Sequence, residues 1–472
     1  MEWLEAPDYW LSRWLLERFL AAIYAIAFLN AFNQFPALLG QNGLLPAPRF
    51  LAVAPFREAP SLFHFHYSDA FLQSVAALGI LLAIALLVGV PQAGPVWLPM
   101  LVWLALWLMY LSIVNIGQTF YSFGWESLLL EAGFLAIFLG ASATAPPTTI
   151  LWLFRWMLFR VEFGAGLIKL RHDPCWRDLT CLYFHHETQP MPNPLSWYFH
   201  HLPKPLHRIE VLGNHAAQLV LPFGLFAPQP IASIAALLMI ITQVWLILSG
   251  NFAWLNWLTL AIAIPAVQLA PIGAVAVDPW PGWYTVVVVG ASIVLLTLSY
   301  WPARNLVSRG QLMNSTFNPL HLVNSYGAFG NITRERNELV LEGTVDGSLT
   351  PETQWLEYEF KGKPGDPRRR PPQVAPYHLR LDWLMWFAAM SPAYAEAWLG
   401  PLLFKVLCND SATVRLLRNN PFAGRRPTYI RVLLYRYRFT TPKERRETGA
   451  WWVRRRMGLY VAPVQPRESE ER

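Results

Sequence analysis

Nine apolar runs dominate the first two thirds of the chain, at residues 14–33, 70–90, 96–114, 125–141, 149–170, 213–227, 231–248, 251–270 and 283–300. A membrane-crossing helix needs about 20 mostly apolar residues, because it rises about 1.5 Å per residue through a hydrocarbon core about 30 Å thick. The runs predict a polytopic α-helical membrane domain over residues 1–301 with about eight or nine transmembrane helices, the sixth run being the shortest. Tryptophans such as Trp97, Trp103, Trp245, Trp254, Trp257 and Trp283 gather toward ends or faces of the runs, as interfacial belts do. The chain opens with Glu2, Glu5 and Asp8 instead of a basic segment, so the first run reads as a retained span, not a cleaved signal.

Charge separates the two parts of the chain. Of its 472 residues only 14% are charged, yet residues 302–472 hold 26 of the 37 Lys and Arg and 16 of the 30 Asp and Glu. Residues 302–472 therefore form a basic soluble domain. Alternating stretches at 338–345, 354–361 and 429–439 predict strands, and apolar stretches at 378–390 and 399–418 predict helices packed toward the membrane side. The expectation is a mixed, β-rich C-terminal domain. Arg368, Arg369, Arg370 and Arg454, Arg455, Arg456 are short runs without a recognition module, so a solvated basic face is expected and no nucleic-acid partner. Membrane lipids remain the expected partner of the apolar part.

Two polar connections interrupt the apolar part, at residues 34–69 and 171–212. An odd number of spans puts both on the face that carries the C-terminal domain. Arg49, Arg57, Arg171, Arg177, Lys204, Arg208, Arg304 and Arg309 would lie there too, the face the positive-inside rule calls cytoplasmic, but the connections are long and charge alone leaves sidedness open. The fifth run places Arg155, Glu162 and Lys169 seven apart, which keeps them on one helix face. Ionisable groups inside a span are costly and mark functional cavities, whereas end-placed arginine and lysine can snorkel to the interface. Glu162 and Lys169 stand about 10.5 Å apart along the axis and each needs a partner from another helix, for which Glu126 and Glu131 are available. Ala165 and Gly166 beside the stripe permit close approach.

The second connection is a folded His-rich loop, with seven of the eleven histidines between His172 and His215. His185, His186, Glu187, His200, His201, His207, Glu210 and His215 are ligand-type residues, and His207, Glu210 and Asn214 would share one helix face. No H-E-x-x-H spacing occurs among them. The series Pro190, Pro192, Pro194, Pro203 and Pro205 instead suggests a rigid loop whose histidines serve as hydrogen-bonding groups, so no metal is assigned. Of three cysteines, Cys175 and Cys181 lie six apart in a segment that must fold back, close enough to bridge.

The runs LIKLRHDPCWRDLTC, HHETQPMPNPLSWYFHHLP and HRIEVLGNH resemble those of the lipase maturation factor family. The resemblance continues through YGAFGNITRERNELVLEG, WLEYEFKGKPGDPRRRPP, PYHLRLDWLMWFAAM and RPTYIRVLLYRYRF, covering residues 150–440. It implies a membrane protein that assists folding or assembly of secreted lipases, its C-terminal domain on the non-cytoplasmic side. In a eukaryote the implied place is the endoplasmic reticulum membrane, and in a bacterium the cytoplasmic membrane. A fainter resemblance, to the vitamin K-dependent γ-carboxylase and its transmembrane relatives, rests on Ala165, Gly166, Lys169, Leu170 and Trp176. In that enzyme the lysine is regarded as a base acting with a reduced quinone.

Two functions are thus set against each other, beside a redox role that would rest only on Cys175 and Cys181. The first is a scaffold that binds client lipases. The second is an intramembrane enzyme with Lys169 as base, Glu162 and His172 as its catalytic companions, and Arg155, Asp173, Trp176, His185, His186, Glu187, His207, Glu210 and His215 in binding roles. No cofactor follows from the sequence. A lysine acts as a base only where its surroundings disfavour the charged form.

Overall fold

The computed structural model describes residues 2–269, 277–422 and 424–465. Its N-terminal part is a helical bundle: α1 (Trp10–Leu39), α2 (Asp69–Val88), α3 (Trp97–Asn115), α4 (Gly124–Ala136) and α5 (Thr148–Arg171). After the loop come α6 (Leu182–Thr188), α7 (Lys204–His215), α8 (Ile231–Ser249), α9 (Leu255–Ala263) and α10 (Gly282–Leu298). Among the described residues, five helices are long and apolar enough to cross a membrane: Pro7–Leu39, Asp69–Val88, Trp97–Asn115, Ile231–Ser249 and Gly282–Val307. α2, α8 and α10 turn large apolar side chains outward, among them Leu81, Ile84, Ile241, Val286 and Leu296. Helices apolar all round with exposed faces suit a lipid surrounding. By contrast α5, with its five charged residues from Arg155 to Arg171, is buried for nearly its whole length.

Hydrogen bonds between connections define the two ends of the bundle. At one end Ala6 N–H donates to the Pro146 carbonyl (3.0 Å), Ser142 N–H to Gln92 (2.8 Å) and the Gln229 amide to Ala266 (3.1 Å). At the other end the Asn115 amide donates to the carbonyls of Pro60 (2.9 Å) and Pro319 (3.2 Å), and Trp197 Nε1 to Thr440 (2.8 Å). Both polar connections and the C-terminal domain therefore share one end of the bundle. The first connection is shorter than expected, since α1 continues to Leu39 through Pro36.

The sixth run departs most from expectation. In place of one helix over 213–227, α7 gives way to a π-turn at Ala216–Val220 and a short helix at Leu221–Gly224. Pro222 accounts for the break: its ring would crowd the carbonyl four residues earlier, at Gln218, and a widened turn relieves that clash. The eighth run is likewise compressed, with a helix only over Leu255–Ala263 and a tight turn to Ala266.

The C-terminal domain is a four-stranded antiparallel sheet of β1 (Arg336–Thr344), β2 (Leu356–Tyr358), β3 (Tyr429–Phe439) and β4 (Trp452–Val464), in the order β2-β1-β3-β4. β4 is an element the sequence reading lacked. The predicted helix at 399–418 is split into α12 (Leu399–Leu407) and a turn at Ser411–Val414, while α11 (Arg380–Met390) matches its expectation. Much of the excess positive charge is neutralised locally. Arg454 grips Glu357 with both terminal nitrogens (2.8 and 2.7 Å), and Arg431 and Arg438 pair with Glu342 and Glu444.

The start of α11 plugs the bundle. Arg380, fully buried, donates to Glu126 Oε1 (2.8 Å), the Phe120 carbonyl (2.7 Å) and Asn30 Oδ1 (2.8 Å), with its guanidinium 3.4 Å from the centre of the Tyr121 ring. Two α1 amides, from Asn30 and Gln34, donate to the carbonyl of His378 (2.5 and 2.7 Å). The His378 ring accepts from Trp125 Nε1 at 3.4 Å, which requires a neutral imidazole, and burial followed by the nearby Arg380 charge holds its pKa down to about 4. An unfolded histidine titrates near 6.5, so the stability from this group is fully present above that pH and is lost as pH falls toward about 4. Lowering pH from 7.5 to 5 is expected to remove about 2 kcal/mol through His378. Thermal unfolding in detergent checks this, with His378→Gln expected to flatten the pH dependence; an unchanged slope would refute the assignment.

Candidate functional site

The charged stripe of α5 faces the broken sixth segment, and Gly166 is the reason the two can meet. A Cβ there would lie 2.8 Å from Leu219 and 3.0 Å from the Gln218 Cβ, so only glycine allows this approach. Across the contact, Lys169 Nζ donates to Asn214 Oδ1 (2.8 Å) and Gln218 Oε1 (2.9 Å). Glu162 accepts from the Gln243 amide at 2.7 Å, and Gln243 in turn accepts from Asn256 at 2.8 Å. The ring of Trp176 closes over Lys169 with its centre 4.6 Å from Nζ. Lys169 and Glu162 thus find partners on other helices, as expected, but those partners are neutral amides.

Glu126 and Glu131 are committed elsewhere. Glu126 takes Arg380 and the Tyr110 hydroxyl, and Glu131 takes Arg160, the Tyr326 hydroxyl (2.7 Å) and the backbone N–H of Asn324 (2.9 Å). Arg160 is a buried charge the stripe argument overlooked. Arg155 does not join Lys169 either. Fourteen residues earlier on α5, it donates to Tyr9 Oη (2.9 Å) and the Leu225 carbonyl (3.3 Å), beside a cavity of about 180 Å³ lined by Tyr9, Trp152 and Gln229.

The loop residues divide into three groups. His172 is exposed, its Nδ1–H bonded back to the Ile168 carbonyl at 3.0 Å, and so stands outside the Lys169 cluster. Asp173 caps the turn that carries Cys175 and Trp176 and receives Arg334 at 2.8 and 3.1 Å. Slight burial opposes ionisation of Asp173, but the Arg334 and backbone hydrogen bonds outweigh it and hold its pKa low. Cys175 and Cys181 form a disulfide, Cα atoms 4.8 Å apart, and Trp176 Nε1 donates to the Phe329 carbonyl (2.9 Å). His215 donates to the Trp176 carbonyl at 3.0 Å. These contacts fix the indole above Lys169.

The second group docks the loop on the sheet. Glu187 accepts from the backbone N–H of Phe439 at 2.7 Å, and burial raises its pKa. Buried Arg336, which sequence reasoning missed, donates to the carbonyls of Glu187 (3.0 Å) and Pro190 (2.9 Å) while pairing with Glu338 (2.6 Å). Its signal was an arginine at the head of a largely apolar strand.

The third group is His186, His207 and Glu210, packed together between α6 and α7 with ligand-type atoms all within 4.8 Å of one another. His185, beside them, lies flat on Phe252, and burial followed by the charges of His186 and Lys169 takes its pKa down to about 3. Burial works against ionisation of Glu210, yet the neighbouring imidazoles of His186 and His207 and the Trp245 indole N–H draw its pKa to about 2.

Known proteins align with this chain along nearly its full length. The family described as Lipase maturation factor transmembrane domain matches residues 11–272, and that described as Lipase maturation factor C-terminal domain matches residues 322–462. Lipase maturation factor 1 of Bos taurus is 41% identical, and that of Homo sapiens 42%, each over 98% of this chain and 90% of the relative. Lipase maturation factor 2 of Homo sapiens is 29% identical over 94% of this chain and 81% of its own length. No solved structure matches. With both halves matched in order, four of the five apolar helices lying largely within the first range and the sheet largely within the second, the chain is an integral membrane protein that belongs to the lipase maturation factor family.

Proposed function

We propose that this protein supports the folding or assembly of secreted lipases from within a membrane, acting as a scaffold whose two parts form one body. The observation that carries the reading is identity of 41–42% to proteins named Lipase maturation factor 1 over nearly the whole chain. Geometry favours a scaffold, because the buried ionisable groups of α5 are spent on holding helices together. Lys169 is bonded to amide oxygens, Glu162 to an amide, and Arg160 to Glu131. In the finer topology we propose, the chain makes nine passes, with the broken segment 204–226 as the sixth. The sharing of one bundle end by both connections and the C-terminal domain supports this count. In a eukaryotic cell the membrane is that of the endoplasmic reticulum and the C-terminal domain is luminal. In cells stripped of their own lipase maturation factor, expression of this chain with a secreted lipase should restore lipase activity per unit of secreted lipase. Protease added to intact microsomes should spare a tag placed after residue 465. Absence of rescue by membrane-inserted protein would overturn the function, and cleavage of the tag the sidedness.

A further inference from the structure

His186 is a buried imidazole without a hydrogen bond. It is 2% exposed, and neither Nδ1 nor Nε2 has a hydrogen-bond partner. Leaving a buried polar group unpaired is costly, and His186 leaves two. Its Nε2 points instead at Glu210 Oε2, 3.9 Å away, too far for a hydrogen bond and close enough for a shared ion. The same carboxylate oxygen lies 3.0 Å from Nδ1 of His207, itself 2% exposed.

The bonding of His207 poses a second problem. Its Nε2 faces the carbonyl of His200 at 3.4 Å and its Nδ1 faces the Glu210 carboxylate, so both ring nitrogens look at acceptors. A neutral imidazole carries one N–H and can satisfy one of them. With the hydrogen on Nε2, Nδ1 presents a lone pair to a carboxylate lone pair, an arrangement that a cation between them turns from repulsive to attractive. An imidazolium would also serve His207, but it would leave both nitrogens of His186 as they are.

We infer that His186, His207 and Glu210 are three protein ligands of one divalent transition-metal ion of the zinc class, with a fourth position open. Two imidazoles and one carboxylate are a ligand set zinc accepts, and His207 and Glu210 project from one face of α7, one turn apart. Bonds of about 2.0–2.1 Å place tetrahedral ligand atoms roughly 3.4 Å apart, so side-chain shifts of about 1 Å or less close the site. The surrounding contacts match what metal ligands ordinarily have. His207 Nε2–H donates to a backbone carbonyl, and Glu210 Oε1 accepts from Trp245 Nε1 at 2.7 Å, which orients the carboxylate. The ion would staple α6 to α7. One turn beyond Glu210 on that helix sits Asn214, which holds Lys169.

Metal content of the full chain, purified in detergent without chelator, incubated with zinc and desalted, tests the inference. About one zinc per chain is expected in the wild type, falling below about a tenth of that in His186→Ala, with His201→Ala as the control that keeps it. Cobalt added to metal-stripped wild-type protein should give a visible ligand-field absorption that zinc abolishes, a readout that does not depend on a variant folding. Wild-type protein without zinc after loading, no cobalt absorption, or full zinc in both His186→Ala and Glu210→Gln would each overturn the site and leave a His207–Glu210 hydrogen bond only.

Discussion

Arg380→Met is expected to lower stability by about 3–5 kcal/mol and to free the C-terminal domain from the helical bundle. The cost does not come chiefly from the lost attraction. With the guanidinium gone, Glu126 stays fully buried as an anion whose remaining partner of note is the Tyr110 hydroxyl, and the Phe120 carbonyl and Asn30 Oδ1 lose their donor. Removing one partner of a buried pair is far worse than replacing both with apolar groups. The double change Glu126→Leu with Arg380→Met should therefore recover a large part of the loss. Thermal unfolding in detergent measures the first effect, and protease cutting between residues 308 and 335 reports the second. A single variant within about 1 kcal/mol of wild type would show that the plug at α11 is not what joins the two parts.

Lys169→Met is expected to abolish most lipase maturation while leaving the protein inserted and abundant. Methionine fills the space beneath Trp176 but strands the side-chain oxygens of Asn214 and Gln218, both of which point at the lost ammonium. The π-turn then loses the contact that sets its position against α5. Lys169→Arg separates charge from proton transfer, since arginine keeps the charge and cannot act as a base at accessible pH. A scaffold should retain a measurable part of the activity in Lys169→Arg, whereas a lysine base should retain none. Secreted lipase activity per unit of lipase, normalised to membrane-inserted protein, is the readout. Full activity in both variants would sink any role for Lys169 beyond placement.

The seven-residue spacing of Arg155, Glu162 and Lys169 puts them on one face of α5, because a helix nearly repeats there whatever surrounds it. It could not find the partners. Hydropathy marks carboxylates inside apolar runs, so Glu126 and Glu131 stood out as candidates, while Gln218, Gln243 and Asn256 passed as unremarkable polar residues within spans. Which carboxylate meets which cation depends on helix rotation and on residues some 250 positions away, such as Arg380 for Glu126. β4 was hidden for a different reason. Three successive arginines at 454–456 mask the alternation of an edge strand whose apolar face, Val453, Met457, Leu459 and Val461, they interrupt. The shared face of His207, Glu210 and Asn214 was legible from helix spacing, but His186 reaches it from another element by a fold of the chain that proline spacing implies without specifying.

The Cys175–Cys181 bridge spans too few residues to restrain much of the unfolded chain, and its weight lies in timing. Trp176 sits inside that small covalent ring, and the indole reaches Lys169 from there. Until two thiols have surrendered their hydrogens to an oxidant, the lid over the lysine has no fixed hinge. Such bonds persist where the surroundings are oxidising and are reduced where glutathione rules. The centre around Lys169 is therefore complete only where its surroundings keep that bond oxidised.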